Sequence, residues 1–119
     1  MSKYVPLTIS DEELERLDTE HDDVMKFQGD PELAPWLCVV RRPTAEEATA
    51  YLSMAVDPQK KVHAITKLVT ALAVFPKKDS DEWKRQYSRW PLFPQGLSQN
   101  KRFEAFCGLE GIRDAREKA

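Results

Sequence analysis

The chain has 119 residues, a formal net charge of −2, 32% charged and 41% hydrophobic residues, and two cysteines. That length favours one domain, able to bury roughly two-thirds of its unfolded surface without a metal or a disulfide. The composition excludes a disordered chain, and the near-neutral charge argues against a bulk electrostatic binder of nucleic acid. The longest uncharged apolar run, residues 68–76, is far short of the ~20 residues a membrane span needs. With no apolar signal core in MSKYVPLT, the expected setting is the cytoplasm.

Residues 1–7 read as a short arm. Ser10 followed by Glu13 is a capping-box pattern, and Ile9 and Leu14 are spaced for a hydrophobic staple across it. The spacing predicts a helix over about 10–20 with acids in its first turn. Only Leu14 and Leu17 would bury, so weak docking is expected. The expected organisation is therefore an arm and acidic helix (1–22), a globular domain (23–108) and a charged, fraying tail (109–119).

Val24 to Phe27 alternate in part, Gly29-Asp30-Pro31 marks a turn, and Trp36-Leu37-Cys38-Val39-Val40 is an apolar run rich in strand formers. These predict a two-stranded antiparallel hairpin, which must pack against helices to be stable. Arg41-Arg42-Pro43 closes the second strand. Thr44 and Glu47 form another capping box, opening a helix with Ala48, Tyr51, Leu52 and Ala55 on one face.

The central element is predicted over residues 57–76. Asp57 suits a cap, Pro58 the first helical position and Pro76 the stop. Val62, Ile65, Leu68, Val69, Leu72 and Phe75 recur at three- and four-residue steps as one apolar stripe. Ser80 or Asp79 caps a helix to about residue 89, Pro91-Leu92-Phe93-Pro94 reads as an irregular link, and a last helix runs over about 95–107 to Gly108. The expected fold is α+β and mainly helical, with a small hairpin against four to five helices.

No enzyme signature is present. The four glycines form no phosphate-cradling loop. His63 sits on a polar helix face without a spaced partner for a relay. His21, Asp22 and Asp23 are chain neighbours, which rarely converge on one metal ion. No metal or cofactor is expected. Cys38 and Cys107 share no short spacing and read as buried, reduced thiols.

Residues 83–90 interleave aromatics with cations. Trp83, Tyr87 and Trp90 share a helical face, while Lys84, Arg85 and Arg89 fall largely off it. Amphipathic packing accounts for this pattern without a ligand. Two further readings are an aromatic anchor surface for a protein partner and a base-stacking, phosphate-contacting strip. In the second case Arg41 and Arg42 would join Lys84, Arg85 and Arg89 in a basic patch.

The layout resembles that of the small tail assembly chaperones of tailed bacteriophages and prophages over about residues 23–108. The matching features are Trp36 to Val40 running into Arg41-Arg42-Pro43-Thr44, then Leu68, Val69, Val74, Phe75 and Pro76, then Trp90, Pro91, Leu97 and Gly108. The resemblance implies a non-enzymatic role: coating apolar helical segments of a long tape measure protein until tail tube protein replaces it. The charged segment after Gly108 departs from the family layout. Large aromatics beside prolines are hard to bury fully in so small a domain, which nominates Trp83, Tyr87, Trp90, Leu92 and Phe93 as partner contacts. The alternatives are a small nucleic-acid-associated regulator and a self-associating tail or connector component.

Overall fold

The computed structural model describes residues 6–108. Most of the expected arm and the whole charged tail, 109–119, lie outside the described residues. Helix α1 (Asp11–His21) is capped by Ser10, whose Oγ accepts from Glu13 N at 3.1 Å. Strands β1 (Val24–Gln28) and β2 (Leu37–Arg41) follow, then α2 (Ala45–Ala55), α3 (Lys61–Leu72) and β3 (Ala73–Phe75). Three short helices complete the fold: α4 (Asp81–Arg89), α5 (Phe93–Ser98) and α6 (Lys101–Cys107). The architecture is α+β and mainly helical. Among the described residues no helix is long and apolar enough to cross a membrane.

The sheet has three antiparallel strands in the order β1-β2-β3, so the expected hairpin gains a strand. Its centre, β2, is buried on both faces. Cys38 and Val40 enter the main core with Ile65, Leu68, Val69 and Leu72 of α3, Leu97 of α5, and Phe103 and Phe106 of α6. Val39 points the other way, into a smaller cluster with Leu17 and Val74. Leu17 is buried, and Ile9 and Leu14 pack partly against the same cluster. The charged first helix thus covers the second face of the sheet.

The central helix is shorter than its apolar stripe. Asp57 Oδ1 accepts from Gln59 N at 2.9 Å, and Asp57 O accepts from Lys60 N at 2.9 Å. Asp57-Pro58 therefore builds a turn of its own, as Asx-Pro pairs do, and α3 starts at Lys61. Val62 falls in the exposed first turn. At the other end the chain leaves the helix after Leu72, and Val39 pairs with Phe75 and Val40 with Ala73. Pro76 biases Phe75 to extended geometry, and the open side of β2 supplies partners for the freed backbone groups.

The expected last helix is two. Asn100 interrupts it and caps α6, its Oδ1 accepting from Arg102 N at 2.8 Å. Phe93-Pro94 is no irregular link; it forms the first turn of α5, where proline costs no hydrogen bond. Gly108 ends α6 with φ 71°, the left-handed cap a glycine adopts freely. Gly29 is required for space: a Cβ there would meet the Ala34 carbonyl at 2.1 Å and the Trp36 indole at 2.4 Å.

Candidate functional site

Helix α4 begins at Ser80, whose Oγ accepts from Trp83 N at 3.1 Å. That cap aims Trp83 and Gln86 inward and leaves Lys84, Arg85 and Arg89 exposed. The Trp83 ring meets Phe93 edge-on at 5.5 Å and lies against Tyr87 at 6.2 Å. Phe93 also touches Tyr87 at 6.1 Å and Trp36 at 5.6 Å. Phe93 is therefore the hub of an aromatic cluster that holds α4, α5 and the start of β2 together.

This corrects the expected contact surface. Trp83 and Phe93 are buried and belong to the core, because α5 begins where an open link was expected. Tyr87 and Trp90 are half-buried, and Leu92 is 67% exposed. Gln95 ties the neighbourhood of Leu92 to α3, its Nε2 donating to Val62 O at 3.2 Å and to Thr66 Oγ1 at 2.9 Å. One turn back, Gln95 N donates to Leu92 O at 3.1 Å. Val62, 57% exposed, is thereby brought to the same α3–α5 junction. Exposed Leu92 and Val62, on the two elements that Gln95 joins, make the candidate site, with half-buried Trp90 two residues before Leu92 in the chain.

Two members of the expected basic patch, Arg41 and Arg42, are held by partners of their own. Arg41 makes a two-pronged ion pair with Glu47 at 2.8 Å on each arm and also donates to Ala71 O at 3.1 Å. Arg42 bonds Asp23 Oδ2 and Phe106 O, and its guanidinium lies 4.5 Å from the Phe106 ring centre. Both arginines are tie-points between elements, Arg41 half-buried and the Arg42 side chain still 56% exposed, while Lys84, Arg85 and Arg89 are exposed on α4.

Glu47 accepts from Arg41, from Thr44 N at 2.9 Å, and closes the capping box of α2. The Arg41 bonds, and the Thr44 N–H behind them, hold its carboxyl down at about 2 against the opposing effect of burial. The folded value lies below that of the unfolded chain. Its stabilisation is therefore full above about pH 5 and is lost as pH falls toward 2. Glu47→Gln should flatten this acid limb, and denaturant titrations between pH 2 and 6 measure it. An unchanged pH slope in the variant would show that the pair does not couple to folding.

Sequence reasoning missed Gln86, which is fully buried. Its Oε1 accepts from Leu37 N and its Nε2 donates to Leu37 O, both at 2.9 Å. Leu37 sits opposite Gln28 in a pair whose backbone groups face away from β1. They point to where β3 would continue had the chain not turned at Pro76. The Gln86 amide takes the place of that missing strand residue. The available signal was one uncharged polar residue inside the Trp83–Tyr87–Trp90 face.

Cys38 and Cys107 are buried free thiols, and desolvation pushes both up to about 12, so neither is a ready nucleophile. Among the described residues no group of three or more His, Cys, Asp and Glu could hold a metal ion. Comparison with protein-family models, with curated proteins and with solved structures returned no match.

Proposed function

We propose that this protein is a non-enzymatic assembly chaperone of the tailed-phage type, working in the cytoplasm of the bacterial host. It holds apolar helical segments of a tape measure protein and gives them up to tail tube protein. The observation that carries this reading is a pair of exposed aliphatic side chains on elements that Gln95 ties together: Leu92, 67% exposed just ahead of α5, and Val62, 57% exposed in the first turn of α3. Exposed aliphatic side chains on two neighbouring elements suit the one-sided apolar stripe of an amphipathic helix. Many weak contacts of this kind along one long partner gain by multivalency and still release.

Tiled helical peptides of the cognate tape measure protein, titrated against the purified chain, test it. Leu92→Asp and Val62→Asp should each weaken binding about tenfold, equivalent to about 1.4 kcal/mol, with melting temperature unchanged. Unaltered affinity in both variants would remove the junction as the site. A steep fall of binding with salt, and a preference for nucleic acid over peptide, would favour Lys84, Arg85 and Arg89 and the regulator reading instead.

A further inference from the structure

The free edge of β1 is a separate surface. Gly29 N donates to Trp36 O at 2.9 Å, which sets the alternation of the β1–β2 ladder. Met25 and Phe27 then bond β2, while Val24, Lys26 and Gln28 turn their backbone groups outward. The outward Val24 N–H is closed by Asp18 Oδ1 at 3.0 Å. Among the described residues, the Lys26 and Gln28 N–H groups have no such closure.

A groove of about 510 Å³ runs along this edge, lined by Val24, Met25, Lys26, Phe27, Gln28, Asn100 and Arg102. Its charged lining is cationic on both sides of the sheet. Phe27 packs edge-on to Phe103 of α6 at 5.7 Å, which places α6, with Asn100 and Arg102, on the Phe27 face. Lys26 is adjacent in the strand and stands on the opposite face.

We propose that the β1 edge binds an extended acidic peptide segment of a partner protein, which adds to the sheet as a fourth strand. Its backbone pairs with the outward groups of Lys26 and Gln28. Side chains of successive strand residues point to opposite faces, so two adjacent acidic residues meet both cations: one faces Lys26 and its neighbour faces Arg102. A second copy of this chain fits poorly, since full antiparallel pairing of two β1 strands sets Lys26 opposite Lys26.

The probe is a synthetic nine-residue peptide of alternating threonine and valine with a central aspartate–glutamate pair, titrated by NMR against the full chain. Binding should shift the amides of residues 24–28 first. Lys26→Glu and Arg102→Glu should each weaken it about tenfold, and a lysine–lysine peptide should recover binding to the double variant. Gln28→Pro deletes one outward N–H while sparing the β1–β2 ladder, and should weaken binding similarly. If that variant unfolds, the same peptide N-methylated at alternate residues removes the ladder from the ligand side. Equal binding of the N-methylated peptide, shifts confined to residues outside the strand, or a dimer in light scattering that occludes β1 would each overturn the proposal.

Discussion

Phe93→Ala should destabilise the protein by about 3–5 kcal/mol, the range for emptying a buried aromatic site. Phe93 is 2% exposed and meets the rings of Trp36, Trp83 and Tyr87 within 6.1 Å. Deleting it leaves a cavity at the junction of α4, α5 and β2, where three rings each lose an edge or a face contact. A domain of this size holds only about 5–15 kcal/mol in total, so the variant should sit near the limit of folding at 37 °C. Differential scanning calorimetry should record a fall in melting temperature on the order of 10 °C or more. The adjacent Leu92→Ala should change stability by under about 0.5 kcal/mol, because its side chain is mostly in water. Similar costs at the two positions would mean that α5 does not present Leu92 outward as described.

Gln86→Leu should destabilise by about 2–5 kcal/mol, although it replaces a polar side chain with an apolar one of similar size. The loss comes from Leu37, whose N–H and C=O would remain buried with no partner. Gln86→Glu separates this account from simple packing. An ionised carboxylate still accepts from Leu37 N–H but repels Leu37 O, whereas a protonated carboxyl serves both. Burial beside a carbonyl raises the folded-state pKa of the introduced acid. Its stabilisation is therefore present below the unfolded value and lost as pH rises. The Glu variant should approach the parent near pH 4 and fall away toward pH 7 in urea unfolding. A pH-independent penalty would rule out the paired amide as the cause.

These two residues join α4 and α5 to β2 by different means, one by shape and one by a two-bond amide. The arginines after β2 do the same elsewhere: Arg41 ties β2 to the start of α2 and the end of α3, and Arg42 ties it to Asp23 and α6. Each helix is short, so each depends on such cross-links more than on its own ladder.

Local chemistry alone determined the capped helix starts at Ser10, Thr44 and Ser80, the Gly108 stop, the β1–β2 pair and the inward face of Ile65, Leu68, Val69 and Leu72. In all of these the cause lies within a few residues: a side chain bonding a nearby N–H, or an apolar period matching a helix or strand. Tertiary structure decided the rest. Residues Ala73–Phe75 read as helix by period, yet pair as a strand because β2 offered unmet backbone groups and Pro76 prevented further helix. Trp83 and Phe93 read as candidate contacts, yet are buried because α5 folds back on α4. Arg41 and Arg42 read as patch members, yet are committed to Glu47 and Asp23. Gln86 read as nothing in particular, because its meaning depends on Leu37, 49 residues away in the chain. No local period or spacing encodes a partner at that distance; only the closed fold brings the two backbone groups and the amide together.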